Sequence, residues 1–523
     1  MFSKRNHLKS IAGCSMNNKI NSSQKKSLPG VILLIIIFLI GIGIRFYELD
    51  NPPLDFHPAR QLHSALIARS FYLSSGGSLP DHDLSYTQEA RTRGAGEMWI
   101  EPPIFEYICS RLYFIAGNAD LTIPRICSII FWMLGALGLV RLTRRFMNFP
   151  GTIICTAFFL LFPYTVIASR SFQPDPLMTA FLIWTIDALY FWNQKKNWWR
   201  TILLGFLAGC TILIKQVAVF PLFFVMAAFM ISQLGIKNVF NKLQIWVIAV
   251  LSILPAAVYN YWGYFINGFL VIQYTGRFFW SEIITPAFYI RWIRKINEVF
   301  SLPVFMLGIM GTFVIKNKKD RAVFTAYILG YFIYGLFLPH HIGTHDYYQI
   351  LAFPLISVGL GQLSSCINDG INQIFDNRKS VYIEAIFCLT ALFGWWSLDS
   401  LITLKRDNYR EWPARFEELA KELDPFSGQT NTIGLMKDYG AGMAYWGERT
   451  IIMWDQNVEN MDQKQAFDTI YSIVRNRHFF MITDMESFSE QPYLQQFLTQ
   501  YTSVYQKGSD YIIYDLREDL YER

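Results

Sequence analysis

Charged residues are scarce in this chain of 523 residues, where they make up 16% of the sequence, against about 25% in a typical soluble protein. Hydrophobic residues make up 52%. So few charges cannot cover several globular cores with a soluble surface, whereas a lipid bilayer accepts apolar surface directly. The composition therefore excludes disordered and collagen-like classes, and it indicates an α-helical polytopic membrane protein.

Metal-binding cysteine patterns are also absent. The seven cysteines include no CxxC pair and no Cys/His spacing, so the sequence indicates neither a zinc site nor a disulfide framework. The net charge of +6 is small and dispersed. A nucleic-acid partner is therefore not predicted, because binding to the phosphate backbone requires a concentrated basic surface.

Apolar runs predict about eleven membrane-spanning helices, each close to the ~20 residues that cross a bilayer. The runs lie at residues 31–47, 122–141, 151–168, 175–193, 201–214, 217–234, 244–263, 299–315, 322–338, 347–364 and 381–399. A basic tail at residues 1–29 precedes them. If this tail is cytoplasmic, every inner connection is basic, as the positive-inside rule requires. We therefore predict a multi-pass protein of the cell inner (plasma) membrane, with a cytoplasmic N-terminus.

The C-terminal segment, residues 400–523, lacks a run long enough to span a membrane. With an odd number of spans it falls on the extracytoplasmic side. Short strands are predicted at residues 432–436, 450–454, 479–483 and 511–514, and helices at residues 416–423, 466–474 and 493–501. The sequence thus predicts a transmembrane domain at residues 30–399 followed by a small α/β soluble domain.

The first outer loop, residues 48–121, contains ten acidic residues, five arginines and no lysine. Long loops in compact proteins are often functional. Asp55 lies between two proline-bearing turns, just before a helix predicted from about residue 59 along the membrane surface. Pro102 and Pro103 begin a second interfacial helix that ends near residue 116. As alternatives, Asp55 caps its helix, or the acidic residues only solvate the loop.

Three later outer connections add further polar groups. Asp175 begins a predicted span, where a simple helix N-terminal charge is the alternative. Lys215 interrupts apolar sequence, where snorkelling to the lipid headgroups is the alternative. The last connection holds His340, His341, His345, Asp346, Tyr347 and Tyr348. Its spacing matches no established metal motif, so no cofactor is assigned and a divalent metal stays open.

The order of these motifs carries a resemblance. Along the chain they are Leu54-Asp55-Phe56, Pro102-Pro103 with Gly117 and Arg125, Ser169-Arg170 with Pro174-Asp175, Leu213-Ile214-Lys215, and His345-Asp346-Tyr347-Tyr348. In this order and on one predicted side, they resemble the GT-C superfamily of membrane glycosyltransferases. The resemblance is to the protein O-mannosyltransferases and the aminoarabinose transferase of lipid A in particular, and it covers residues 30–365.

The resemblance implies a sugar donor attached to polyprenyl phosphate, a lipid, glycan or protein acceptor, and a reaction beside the bilayer. Asp55 is the expected general base of an inverting transfer, and Lys215 is expected to stabilise the departing phosphate. Asp175 and Glu101 are expected to orient sugar hydroxyls or to position Lys215. The expected substrate-binding residues are His57, Arg60, Asp175, Arg277, His340, His341, His345, Asp346, Tyr347 and Tyr348.

A transporter or flippase for a lipid-linked substrate is the rival function. It predicts charged residues within the spans and two similar halves of the sequence. Here the ionisable groups gather in the outer loops instead, and no internal repeat is found. A membrane glycosyltransferase is therefore the preferred hypothesis.

Overall fold

The computed structural model describes residues 28–79, 91, 99, 101–274, 278–374, 378–405, 411–423, 431–449 and 451–517. The helices of the membrane part are α1 (Leu28–Phe46), α2 (Pro58–Ser74), α3 (Ile104–Ala116), α4 (Thr122–Thr143), α5 (Phe149–Leu161), α6 (Pro163–Ser169), α7 (Asp175–Gln194), α8 (Trp198–Ile214), α9 (Val219–Leu234), α10 (Ile236–Asn241), α11 (Leu243–Tyr261), α12 (Phe269–Tyr274), α13 (Pro286–Phe300), α14 (Leu302–Phe313), α15 (Lys318–Phe337), α16 (Pro339–Thr344), α17 (Phe353–Ile374) and α18 (Arg378–Leu404). The predicted basic tail lies outside the described residues except for its last two positions.

Six helices in the described part of the chain are long and apolar enough to cross a membrane, or eight if each of two bent helix pairs forms one span. The protein is therefore a multi-pass membrane protein. The bent pairs are α5 with α6, at 58°, and α13 with α14, at 90°. Three more predicted spans fall on α7, α8 and α15. Length and composition do not by themselves establish these three as spans, because α8 has 17 residues and α15 begins with four charged residues.

The predicted span at residues 299–315 is shorter in the structure, where α14 has 12 residues. Ser301, with φ 62°, separates it from α13. One face of α13, which includes Phe288, Trp292 and Ile296, is buried. The predicted span begins two residues before this break, because Val299 and Phe300 at the end of α13 are also apolar.

Both helices predicted in the first loop are confirmed. Pro58 is the first residue of α2, and α3 ends at Ala116 before Gly117, whose φ of 76° favours glycine. The apolar face of α2 is covered by protein, since Leu62 and Ala65 are fully buried. This helix therefore packs into the protein core, where the sequence predicts a helix lying on the lipid surface.

The C-terminal part is a small α/β unit, as predicted. Its elements are α19 (Trp412–Leu423), β1 (Thr432–Leu435), α20 (Ala441–Tyr445), β2 (Ile452–Met453), α21 (Gln463–Val474), β3 (Phe479–Ile482), α22 (Met485–Ser489), α23 (Pro492–Tyr501), β4 (Ser503–Lys507) and β5 (Ile512–Asp515). The strand order is β2-β1-β3-β5-β4. The β1 strand pairs in parallel with β2 and β3, whereas β5 pairs antiparallel with β3 and β4. The β4 strand, which no apolar run marks, is an addition to the prediction.

The C-terminal unit is attached to α2 through buried charges. Arg69 on α2 donates to Glu448 at 2.5 Å and to the Tyr445 carbonyl at 3.0 Å. Its guanidinium also lies 4.0 Å from the centre of the Tyr445 ring. Because both charged side chains are buried, this contact fixes the C-terminal unit over the first-loop helices.

Candidate functional site

A cavity of about 890 Å³ lies where α2, the start of α3 and the C-terminal unit meet. We call it the donor-side cavity. It is lined by His57, Pro58, Ala59, Arg60, His63, Ser64, Ile67, Glu101, Pro102, Pro103, Glu106, Pro174, His345, Tyr347, Asp438 and Tyr439. Its wall therefore contains five of the predicted site residues, namely His57, Arg60, Glu101, His345 and Tyr347.

Lys215 and Asp175 form a buried ion pair next to this wall. Lys215 follows the last residue of α8 in an extended conformation, and Asp175 is the first residue of α7. The Lys215 ammonium donates to Oδ1 of Asp175 at 2.6 Å. Burial lowers the pKa of Lys215, and the charge of Asp175 opposes that shift. Because Lys215 is 5% exposed, its ammonium does not reach the headgroups, and the snorkelling alternative is wrong.

Arg60 connects this ion pair to the cavity. Its Nη2 lies 3.9 Å from Oδ2 of Asp175, and its guanidinium lies 4.1 Å from the centre of the Tyr347 ring. Burial lowers the pKa of Arg60, but Tyr347 and Asp175 outweigh it, so the net shift is upward. Within the described residues, Nη1 of Arg60 and Oδ2 of Asp175 are buried without a hydrogen-bond partner. The Lys215 ammonium lies 5.3 Å from the same Tyr347 ring, so one aromatic side chain contacts two cations.

His57 and Asp346 form a second polar pair. His57 donates from Nε2 to Oδ1 of Asp346 at 2.5 Å. The histidine has φ 49°, in the left-handed region that non-glycine residues seldom adopt. Its ring packs edge-on against Tyr347 at 4.8 Å between centres. The pair thus joins the first loop to the connection before α17, and it contributes the His57 ring to the cavity wall.

His345 is a second histidine in the wall of the donor-side cavity. Its Nδ1 lies 2.7 Å from the Thr344 hydroxyl. Burial lowers the pKa of His345, as do the nearby charges of His57, His340 and Arg60. A neutral imidazole at neutral pH is the consequence, which suits it to hydrogen bonding rather than to binding an anion by charge.

Glu106 is a cavity residue that the sequence interpretation did not assign to the site. It is buried, and the Ser64 hydroxyl donates to its Oε1 at 2.7 Å. Burial raises the pKa of this carboxyl, while the bond from Ser64 opposes the shift. The sequence contains one indication that Glu106 is buried. Glu106, Cys109 and Tyr113 follow the i, i+3, i+7 spacing of one helix face, and this is the buried face of α3.

Asp55 occupies a different environment. Its Oδ2 accepts from Nη2 of Arg125 at 2.6 Å and lies 3.3 Å from Nε of Arg170. Arg125 also donates to the carbonyls of Leu49 and Asn51 at 2.9 and 2.7 Å. Asp55, like Lys215 and Asp175, is absent from the residues that line the donor-side cavity, and α2 has no side-chain cap. Asp55 is thus paired with two buried arginines at the start of the first loop.

The remaining predicted residues lie around the cavity or outside it. His341 stacks on His345 at 5.9 Å, and Tyr348 stacks on Tyr334 at 6.1 Å. His340 is directed away to Glu282, with 3.1 Å between Nδ1 and Oε1. Arg277 is outside the described residues. Among the residues that the structure describes, no group of three or more His, Cys, Asp or Glu side chains is placed to hold a metal ion.

Comparison with solved structures identifies proteins that share this fold. ArnT from Cupriavidus metallidurans, crystallised with undecaprenyl phosphate, aligns with a TM-score of 0.57 at 12% identity, over 94% of this chain and 99% of its own. The oligosaccharyltransferase AglB from Archaeoglobus fulgidus, in complex with an inhibitory peptide and a dolichol-phosphate, aligns with a TM-score of 0.56 at 12% identity, over 94% of this chain and 74% of its own. At this level of identity, the likeness establishes the shared fold.

A sequence comparison points in the same direction. The profile of the dolichyl-phosphate-mannose-protein mannosyltransferase family matches residues 100–262, which include Glu106, Asp175 and Lys215. No curated protein matches the full sequence significantly. The resemblance to GT-C proteins inferred from the loop motifs is thereby confirmed.

Proposed function

We propose that the protein is a glycosyltransferase that moves a sugar from a polyprenyl-phosphate donor to an acceptor hydroxyl in the donor-side cavity. The observation that carries this proposal is the cation pair Lys215 and Arg60, which share Asp175. Lys215 has three N–H donors, of which Asp175 takes one, and Nη1 of Arg60 has no partner among the described residues. Both cations can therefore donate to a phosphate.

The chemistry of the leaving group fits these cations. When the bond between the anomeric carbon and the phosphate oxygen breaks, the polyprenyl phosphate leaves with the bonding electrons and gains negative charge. Preorganised cations in a site shielded from water stabilise such a charge strongly. The ArnT structure with undecaprenyl phosphate and the match to a dolichyl-phosphate-mannose family support this donor class.

The acceptor hydroxyl requires a base. We assign Glu106, because it lines the cavity and because burial raises the pKa of its carboxyl toward the range in which a general base works well. The acceptor oxygen forms the new bond to the anomeric carbon as its proton passes to Glu106, so a single displacement inverts that carbon. Glu101 is in the same wall and is placed to bind sugar hydroxyls. Asp55 then acts through the position of the first loop.

Lys215→Met tests the proposal, with transfer of radiolabelled mannose from polyprenyl phosphate measured in nanodiscs. If Lys215 stabilises the leaving phosphate, turnover at saturating donor falls about 10²–10³-fold. Lys464→Met is the matched control, because Lys464 is exposed on α21 of the C-terminal unit, and it should leave turnover unchanged. If the Lys215 variant has the same turnover as the control, Lys215 does not stabilise the leaving phosphate.

The same proposal places the cavity on the outer side of the inner membrane, with the N-terminus inside and the C-terminal unit outside. The basic inner connections support this orientation. A membrane-impermeant maleimide should label Ser472→Cys, an exposed position on α21, in intact cells. Labelling only after the cells are lysed would indicate the opposite topology, with the C-terminal unit in the cytoplasm.

A further inference from the structure

A turn of the C-terminal unit enters the donor-side cavity in an unusual conformation. Three successive residues in it have left-handed backbones, namely Asp438, Tyr439 and Gly440, with φ 51°, 55° and 69°. Only the glycine adopts this region without steric cost. Such conformations persist where the surrounding structure imposes them, and they concentrate at ligand sites. The Tyr439 ring is also 80% exposed, which is unusual for an aromatic side chain in a cavity wall.

This turn separates two cavities. Asp438 and Tyr439 line the donor-side cavity. Asp438 also lines a second cavity of about 350 Å³, between the membrane part and the C-terminal unit. We call it the junction cavity. Its lining is Leu54, Pro58, Leu62, Glu411, Trp412, Arg415, Phe416, Leu419, Lys437, Asp438, Gly442, Thr483 and Asp510. Asp438 and Pro58 are thus shared by both cavities.

The junction cavity combines aromatic rings with charged groups of both signs. Trp412 and Phe416, on α19, lie 5.8 Å apart and are only half-buried. Arg415 on the same helix pairs with Asp510. Lys437 and Thr483 add a cation and a hydroxyl. A sugar ring presents C–H groups on its faces and hydroxyls around its edge, so a lining of rings with hydrogen-bonding groups on both sides matches it.

We propose that the junction cavity binds the acceptor, that the acceptor is a saccharide, and that Asp438 accepts a hydrogen bond from it where the two cavities meet. This inference rests on the proposed function and extends it to the second substrate. Its geometric basis is the shared lining: Asp438 and Pro58 border both cavities, and of the two only Asp438 has a side chain that can accept a hydrogen bond from an acceptor held by Trp412 and Phe416. The C-terminal unit then supplies the acceptor site, whereas the membrane part supplies the donor site.

The first experiment separates acceptor from donor binding in the full-length protein. The donor probe is radiolabelled mannosyl phosphopolyprenol, and the acceptor probe is a deproteinised glycan and glycolipid extract of the native membranes. Asp438→Asn should raise the acceptor KM about tenfold or more, as expected for loss of a charged hydrogen bond. Inhibition by free polyprenyl phosphate, which reports on the donor site, should stay unchanged. Asp455→Asn, at an exposed position of the same unit, is the control.

Two results would overturn the assignment in this assay. An unchanged acceptor KM in Asp438→Asn would remove Asp438 from the acceptor site, and weakened inhibition by polyprenyl phosphate would place it in the donor site instead. The class of acceptor is tested with whole native membranes, where a radiolabelled product that protease digests would indicate a protein acceptor and would contradict the saccharide assignment.

The second experiment does not require turnover. Thr483→Cys places a thiol in the junction cavity, and its rate of maleimide labelling is followed by peptide mass spectrometry. The glycan extract should slow labelling at residue 483 and leave the exposed control Ser472→Cys unaffected. Equal labelling with and without the extract would overturn the saccharide site. If protection is seen but the wild type transfers no sugar, the proposed function fails while the binding site stands.

Discussion

Two ionic clusters lie within the same part of the molecule and differ in what their cations bind. In the first, Arg125 donates to Asp55 and to the carbonyls of Leu49 and Asn51, and Arg170 donates to the carbonyls of Tyr47 and Glu48. In the second, Lys215 and Arg60 contact the side chains of Asp175 and Tyr347. Each cluster contains one buried arginine nitrogen without a hydrogen-bond partner among the described residues, Nε of Arg170 in the first and Nη1 of Arg60 in the second. Bonds to the loop backbone hold the first cluster in the structure, whereas the second lies beside a cavity, so backbone bonding separates the two clusters better than charge alone does.

The largest effect is expected from Glu106→Gln, in the wall of the donor-side cavity. Loss of a general base lowers the rate about 10²–10⁴-fold, with donor binding preserved, since the amide keeps the shape of the side chain and its contact with Ser64. Turnover and inhibition by polyprenyl phosphate measure the two quantities. Glu298→Gln, a half-exposed position on α13, is the matched control. If Glu106→Gln retains wild-type turnover, the base must be sought at Glu101 or Asp55.

A pH profile sharpens the same assignment. Because burial raises the pKa of Glu106, the base becomes protonated, and inactive, at a higher pH than an ordinary glutamate would. The rate should therefore fall as pH decreases through that raised pKa, on an acid limb above the usual ~4.3. In Glu106→Gln, the residual rate should no longer fall as pH decreases through this range. An identical acid limb in both proteins would assign the titration to another group.

Asp55→Asn is expected to act on stability. Arg125 and Arg170 are almost fully buried. Removal of the Asp55 carboxylate takes away their ion-pair partner, at a cost of up to about 3–5 kcal/mol, while their bonds to backbone carbonyls remain. Burial and the charge of Arg125 lower the pKa of Arg170, and Asp55 opposes this shift. Thermal unfolding in detergent should show the loss, with Asp468→Asn as an exposed control. Normal stability combined with lost transfer would restore Asp55 as the base.

Local features of this site were predictable from the sequence. The proline residues before α2 and α3 and Gly117 after α3 mark the helix ends by themselves. Short continuous apolar runs likewise indicate most strands of the C-terminal sheet. These signals depend on neighbours within a few residues, so the sequence contains them directly.

The pairing of distant charges was not predictable in the same way. Asp175 and Lys215 are separated by 40 positions, and Asp55 and Arg125 by 70. Which carboxylate meets which cation depends on how the helices pack, and no periodicity encodes that choice. The sequence therefore contains no sign that Asp55 is paired with two arginines, because these lie on α4 and before α7.

The smallest effect is expected from Tyr347→Leu, which removes the ring between the two cations and keeps an apolar side chain. Cation–π contacts contribute about 0.5–2 kcal/mol, and the ring lies 4.1 Å from the Arg60 guanidinium and 5.3 Å from the Lys215 ammonium. The ring orients these groups without contacting the leaving oxygen, so donor affinity should weaken about 3–30-fold while turnover at saturation changes little. Tyr289→Leu, at an exposed ring on α13, is the control. Should Tyr347→Leu instead lower turnover as much as Lys215→Met, the tyrosine would belong with the groups that stabilise the transition state, and the donor site would depend on three side chains acting together.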